Sequence, residues 1–243
     1  MQRKWFQLWF NSPFYHILYN QRNDAEAEYL IDNLSAYLAP TAASKILDIA
    51  CGRGRHAVYL NKKGYDVTGI DLSEQNIRFA KQFESKNLHF YVHDMRKLSY
   101  INYFDLAFNL FTSFGYFDTE KDHVNALIAF RKSLKPGGTL VIDYFNTQKI
   151  IQNLTSQEIK TIDGIEFHIN KFVAQGKINK HINFEHKAKA YAFEEQVQAF
   201  LLADFERMLS KAGFKIKAQF GDYSLGEFNA EKSDRLLLIC EKL

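Results

Sequence analysis

The chain has 243 residues, of which 47 % are hydrophobic, and a formal net charge of +3. This hydrophobic content excludes a disordered chain and suffices for one large α/β domain with a small insertion. The charge is too small to indicate a nucleic-acid partner. No stretch reaches the ~18 apolar residues of a membrane span. The two cysteines, Cys51 and Cys240, lack metal-binding spacing, so we expect a cytoplasmic protein with reduced thiols and no metal site.

In chain order, residues 1–40 have helical spacing and are predicted to cover the domain. Strands then alternate with helices, and this rhythm predicts a parallel sheet with helices on both faces. A sharp turn at residues 135–138 (Lys-Pro-Gly-Gly) is predicted to lead into the fifth strand. The predicted strands are 45–49, 66–71, 88–93, 104–111 and 139–144, with helices at 55–63, after Ser73 and after Thr119.

The rhythm breaks near Asn146. Residues 159–191 alternate apolar and polar side chains without helices, and Gln175-Gly176 is a hairpin signal, so an antiparallel β insertion is predicted. A helix at 202–212 and two closing strands at 215–220 and 235–241 follow. The predicted division is a helical cover (1–40), a cofactor-binding domain (41–146 and 199–243) and the insertion (147–198), which is expected to be a lid or an acceptor pocket.

Residues 45–60 are predicted to form a strand, a glycine-rich turn and a helix. Glycine takes positive φ freely and lets a ligand approach the backbone, and such a turn lies where ligands bind in a parallel sheet. The spacing from Gly52 to Ala57 matches G-x-G-x-x-A, which fits the dinucleotide NAD. The order from Asp48 to Gly54 (Asp-x-Ala-Cys-Gly-x-Gly) instead resembles the first motif of class I methyltransferases, whose cofactor is S-adenosylmethionine.

Two acids at predicted strand ends bear on this choice. Asp71 can accept both ribose hydroxyls, which NAD and S-adenosylmethionine share. Asp94, in the segment His-Asp-Met-Arg, resembles the acid that meets the adenine amino group in class I methyltransferases. Residues 135–138 resemble the segment before the fifth strand of that family. The resemblance implies a seven-stranded, mostly parallel sheet whose last strand is antiparallel.

The resemblance also implies site residues. Residues 15–22 are similar to the amino-terminal segment of small-molecule and amino-sugar N-methyltransferases, in which the counterparts of Tyr19 and Arg22 close over the cofactor. Asn109 is expected to present its carbonyl to the methionine end of the cofactor. The implied cofactor-binding set is Tyr19, Arg22, Asp48, Ala50, Gly52, Gly54, Asp71, Leu72, Asp94, Met95 and Asn109.

The implied reaction is methyl transfer from S-adenosylmethionine to a nitrogen or oxygen of a small molecule. If a general base is needed, the candidates are Tyr116, Asp143 and Glu185. Residues 109–112 (Asn-Leu-Phe-Thr) depart from the Asn/Asp-Pro-Pro-Tyr/Phe motif of enzymes that methylate base amines or glutamine amides. The alternatives are a nicotinamide oxidoreductase, a non-catalytic cofactor-binding protein, and a protein or nucleic-acid methyltransferase. The oligomeric state is open, with a homodimer as one option.

Overall fold

The computed structural model of the chain describes residues 4–19 and 24–243. Eleven strands in these residues form two sheets. Their bounds are β1 (Lys45–Ile49), β2 (Asp66–Asp71), β3 (Leu88–Val92), β4 (Phe104–Asn109), β5 (Leu134–Phe145), β6 (Gln157–Ile162), β7 (Ile165–Ala174), β8 (Lys177–His186), β9 (Lys189–Gln198), β10 (Phe214–Phe220) and β11 (Arg235–Lys242).

The large sheet has seven strands in the order β10-β11-β5-β4-β1-β2-β3. Strand β1 pairs in parallel with both β2 and β4, whereas β11 runs antiparallel to β5 and β10. The carboxyl ends of β1, β2 and β4 therefore meet at one edge, which is where open α/β sheets bind ligands. The predicted seven-stranded, mostly parallel sheet with an antiparallel last strand is confirmed.

Helices cover both faces of the large sheet. One face packs on Phe130, Phe205 and Met208, and the other packs on Leu30 and Leu60; all five side chains are buried. No helix within the described ranges is both long and apolar enough to cross a bilayer. The helices are α1 (Trp5–Trp9), α2 (Pro13–Leu18), α3 (Asp24–Leu38), α4 (Arg55–Lys62), α5 (Glu74–Ala80), α6 (Glu120–Ser133), α7 (Thr147–Gln152) and α8 (Leu202–Ala212).

The small sheet consists of β6–β9 in sequential antiparallel order, as the apolar-polar alternation predicts. Its apolar face includes Phe167 and Phe184, and it packs against Trp9 and Phe14 from the two short amino-terminal helices. Helices α1 and α2 therefore lie on the small sheet, and α3 lies on the large one. The division of the chain into three parts stays a prediction.

Three local predictions differ from the structure. The predicted sharp turn at 135–138 is an irregularity within β5, where the pairing with β4 jumps from Leu134 to Thr139. Helix α7 was not predicted, because its six residues are too few to show helical periodicity. Strand β9 extends to Gln198, beyond the predicted end of the insertion pattern at residue 191.

Phe167 tests the packing between the small sheet and the amino-terminal helices. Its fully buried ring fills this core, so Phe167→Ala should lower the free energy of unfolding by about 3–5 kcal/mol. Phe172→Ala, on the opposite face of the same strand, is the matched control and should cost roughly 1 kcal/mol. Urea unfolding followed by tryptophan fluorescence measures both. Equal losses would contradict the assigned faces of β7.

Candidate cofactor and acceptor site

The turn after β1 is fixed to the end of β2. The Cys51 N–H donates to the carbonyl of Ile70 at 2.9 Å, and the Gly52 N–H donates to Asp71 Oδ2 at 2.9 Å. Ala50 and Gly52 both have left-handed φ angles, of 58° and 57°. The turn is thus a strained, hydrogen-bonded bend, which is typical of backbone that contacts a ligand.

The two glycines of the turn have different roles. A β-carbon on Gly54 would lie 2.7 Å from the Phe90 ring, so this glycine is required by packing beneath the turn. A β-carbon on Gly52 would meet no atom within 4 Å and would project into open space. Only Gly52 lies on the wall of the neighbouring cavity.

A cavity of about 1350 Å³ begins at this turn and extends from the large sheet to the small sheet. Gly54 and Asn109 lie beneath its wall rather than on it. Arg22 lies outside the described residues. The other predicted cofactor residues all line the cavity, namely Tyr19, Asp48, Ala50, Gly52, Asp71, Leu72, Asp94 and Met95.

Asp71, at the end of β2, and Asp94, just after β3, are held by neighbouring donors. Asp71 Oδ1 accepts the Ser73 N–H at 2.7 Å, and burial raises the pKa of Asp71. Asp94 accepts the Arg96 N–H at 2.9 Å and the Arg96 guanidinium at 2.6 Å. Both carboxylates are therefore positioned before any ligand binds.

Aromatic residues form the wall beyond β4. The Tyr116 ring packs edge-on against Trp5 and at a tilt against Phe10, each with centroids 5.5 Å apart. The Tyr116 hydroxyl donates to the carbonyl of Thr112. Tyr116, a predicted base, thus lies at the cavity and connects α1 to the loop after β4.

The small sheet contributes a charged wall centred on Glu195. Its carboxylate accepts the Trp9 indole N–H at 2.7 Å, the Tyr19 hydroxyl at 2.6 Å and the Lys180 ammonium at 2.9 Å. Burial raises the pKa of Glu195, but the charge of Lys180 and the hydrogen bonds outweigh burial and hold the pKa below its usual range. Glu195 is therefore an ionised group on the cavity wall.

Comparisons with known proteins identify the family. Residues 40–213 match the family model described as a methyltransferase domain. The chain belongs to this methyltransferase family. Over 82 % of its length it is 30 % identical to the putative methyltransferase YqeM of Bacillus subtilis, covering 84 % of that protein.

A second relative of this methyltransferase has a named acceptor. It is the dTDP-3-amino-3,4,6-trideoxy-alpha-D-glucopyranose N,N-dimethyltransferase of Streptomyces venezuelae, with 26 % identity over 72 % of this chain and 77 % of that protein. Among solved structures, an S-adenosylmethionine-dependent methyltransferase from Clostridium acetobutylicum superposes with a TM-score of 0.80 at 19 % identity. The match covers 94 % of this chain and 96 % of that one. The predicted class I methyltransferase is confirmed, with S-adenosylmethionine rather than NAD as its cofactor.

The buried polar atoms at this edge fit that cofactor. Asp48 Oδ2, Asn109 Oδ1 and His56 Nε2 are buried without a hydrogen-bond partner. Such orphaned atoms are rare in proteins and indicate a missing ligand or water. Asp48 lies on the cavity wall, and its unpaired oxygen is an acceptor that suits the ammonium group of the methionine part. The Asn109 amide donates to the carbonyl of Ile49 at 3.2 Å, so the unpaired oxygen of Asn109 has a fixed position.

Two of the predicted bases are not placed for that role. Asp143 is fully buried behind the cavity wall, and its carboxylate already accepts the Arg235 guanidinium at 2.8 Å and the Phe111 N–H at 2.7 Å. Glu185 is exposed on the face of β8 opposite Lys180, so it does not reach the cavity. Tyr116 stays a candidate by position.

Lys180, Glu195 and Arg235 line the cavity but were not predicted as site residues. For Glu195 the sequence did contain a signal. Tyr191, Phe193, Glu195 and Val197 alternate with the same period as the preceding strands, which puts a carboxylate on an apolar face. Arg235 begins the last strand and offers no comparable pattern.

Asp48 should couple cofactor binding to proton release. Burial raises the pKa of Asp48 from 3.8 to about 7. Between these pH values Asp48 ionises in the unfolded chain but stays protonated in the folded one, so the stability of the free protein falls as the pH rises towards 7. An ammonium beside it favours the carboxylate, and binding near pH 6.5 should therefore release a proton. Asp48→Asn should abolish this release in titration calorimetry across buffers of different ionisation enthalpy. Asp94→Asn is the control and should retain it.

The two turn glycines should separate stability from binding. Gly54→Ala combines left-handed strain with a clash against Phe90 and should destabilise the fold by about 2–4 kcal/mol. Gly52→Ala meets no neighbour and should cost roughly 1 kcal/mol, yet its methyl group enters the cavity. We expect it to raise the Kd for S-adenosylmethionine by about 10-fold or more. Unchanged affinity would refute the contact between this turn and the cofactor.

Proposed function

We propose that this methyltransferase acts on an amine nitrogen of a small-molecule acceptor, which binds between the carboxyl edge of the large sheet and the small sheet. The main support is that one continuous cavity extends from the glycine turn to the small sheet. Its volume of about 1350 Å³ exceeds the roughly 300–1,000 Å³ of ordinary ligand pockets. It therefore has room for the cofactor and a second small molecule.

The choice of an amine rests on two arguments. The Streptomyces venezuelae relative is named as an N,N-dimethyltransferase of an amino sugar. In addition, a neutral amine has a free lone pair and needs no base, whereas a hydroxyl must lose its proton during the reaction. Two of the three predicted bases are unavailable here, since Asp143 is already paired and Glu185 points away.

The protein's contribution is mainly alignment. S-adenosylmethionine supplies a methyl group on a positively charged sulfonium, and the enzyme must bring the acceptor nitrogen in line with it. Such positioning is worth roughly 7–11 kcal/mol of the barrier. The Tyr116 ring on the cavity wall suits a positive charge. The Phe111 ring already carries the Arg55 guanidinium, 4.6 Å from its centroid. Helices α1 and α2, packed on the small sheet, help to exclude water from this side. The insertion would thus provide the acceptor pocket.

The cytoplasmic location, the lack of a nucleic-acid or membrane partner and the homodimer option stay predictions from the sequence. They do not enter the argument for an amine acceptor, which rests on the cavity and on the named relative.

The acceptor class can be tested with purified protein and S-adenosylmethionine. We expect S-adenosylhomocysteine to form with amino sugars, sugar nucleotides bearing an amine, or amino acids. The matched hydroxyl analogues should give none. Turnover confined to the hydroxyl compounds would contradict the choice of nitrogen.

Glu195 provides a test of the small-sheet wall. Glu195→Gln removes the charge that holds Trp9, Tyr19 and Lys180, and should lower kcat/KM for the acceptor by about 10- to 100-fold. Glu194→Gln, on the opposite face of β9, is the matched control and should behave like the wild type. If the two variants turn over equally fast, the small sheet does not form the acceptor pocket.

A further inference from the structure

Phe111 and Thr112 follow β4 in a conformation that side chains disfavour. Their φ angles are 55° and 59°, both in the left-handed region, and Thr112 is β-branched. Such residues are strained and persist only where the surroundings hold them. Both residues line the cavity. The strain therefore lies on the wall of the cavity that is proposed to hold the cofactor and the acceptor.

Asp143, at the end of β5, holds the backbone of this loop. Its Oδ2 accepts the Phe111 N–H at 2.7 Å, and its main-chain carbonyl accepts the Thr112 N–H at 3.0 Å. One residue thus binds two successive amide groups of the strained segment. Because both donors are satisfied, the loop can keep its left-handed conformation.

Arg235, at the start of β11, connects the same carboxylate to the loop side chain. Its Nε donates to Asp143 Oδ1 at 2.8 Å, and its Nη2 donates to Thr112 Oγ1 at 3.0 Å. The planar guanidinium fixes the angle between these two bonds. A lysine could supply the positive charge but not two donors in this fixed planar arrangement.

Two rings and the Arg55 guanidinium contact the Phe111 side chain. Its ring lies 5.1 Å from His56 and 5.5 Å from Tyr223, measured between centroids. The Tyr223 hydroxyl in turn donates to Asp143 Oδ2 at 3.1 Å. The Asp143 carboxylate therefore binds the Phe111 N–H directly. It contacts the Thr112 hydroxyl through Arg235 and the Phe111 ring through Tyr223.

The burial of the pair argues for a role beyond stability. Asp143 has no exposed side-chain surface, and the Arg235 side chain is 20 % exposed. A buried ion pair loses much of its attraction to desolvation, and an apolar pair of similar volume is often equally stable. Such an apolar pair could not hold the Phe111 amide and the Thr112 hydroxyl in fixed places.

We propose that Asp143 and Arg235 are positioning residues for methyl transfer, which fix the Phe111–Thr112 backbone against the reactive end of the cofactor. Asp143 acts through the loop and not by accepting a proton from the acceptor. The inference rests on the proposed function only in placing the reaction at this edge of the sheet. Its test needs no acceptor.

The test compares binding of S-adenosylmethionine with binding of S-adenosylhomocysteine, which lacks the methyl group and the positive charge. Under the proposal, we expect a correctly held loop to favour the charged compound. In Arg235→Lys and Thr112→Val the ratio of the two Kd values should move by about 2- to 5-fold against S-adenosylmethionine, as expected for one weakened cation contact. Titration calorimetry measures both constants.

Hydrogen exchange provides a second readout that needs no cofactor. The Phe111 and Thr112 amides should exchange about 2- to 10-fold faster in Arg235→Lys and Thr112→Val, the factor expected for losing one hydrogen bond. Thr112→Ser keeps the hydroxyl and should resemble the wild type. Arg207→Lys, at an exposed ion pair on α8, is the control for the arginine change.

Melting temperatures separate positioning from a merely structural role. A folded Arg235→Lys or Thr112→Val protein with unchanged Kd ratio and unchanged exchange would overturn the proposal, even if it melted at a lower temperature. If Arg235→Lys does not fold, the Thr112→Val and Thr112→Ser pair decides by the same two readouts. Failure of the amine panel would leave these binding results standing.

Discussion

The contact between the turn after β1 and the end of β2 is the constraint on which this site depends. The Gly52 N–H reaches the Asp71 carboxylate only because β1 and β2 are parallel and in register, from Lys45 beside Asp66 to Ile49 beside Ile70. That register brings the strand ends to the same level. Phe90 of β3 packs beneath the turn and leaves room only for glycine at position 54. Three neighbouring strands thus fix one bend of the backbone.

Several departures from ordinary packing lie at the same edge. Unpaired buried acceptors lie at Asp48 and Asn109, and left-handed backbone lies at Phe111 and Thr112. Proteins usually break local rules of this kind at functional sites and offset the cost elsewhere. The cofactor's ammonium group is the proposed partner of the Asp48 oxygen, and the Asp143 ion pair holds the strained loop. These irregular features therefore lie beside the proposed cofactor site.

The cavity that begins at the large sheet is completed by residues of the small sheet. Its apolar face binds the amino-terminal helices through Trp9, and at the cavity the same face changes to a charged group centred on Glu195. Because Tyr19 and Lys180 meet that carboxylate, the amino terminus and the insertion form one wall. Under the proposed function, the insertion adds an acceptor pocket beside the cofactor site.

The sequence alone determined the order of the strands, most of the helices, the glycine turn and the position of Asp71 at a strand end, because these follow from local periodicity and from a motif within a few residues. Which face of a strand meets the cavity depends on contacts far along the chain, and only the tertiary structure decided it. Period-two alternation puts Glu185 and Glu195 on faces of their strands, but packing on α1 selects the face that carries Glu195. Likewise Asp143 appeared as an available acid until Arg235, 92 residues later, was found to occupy it.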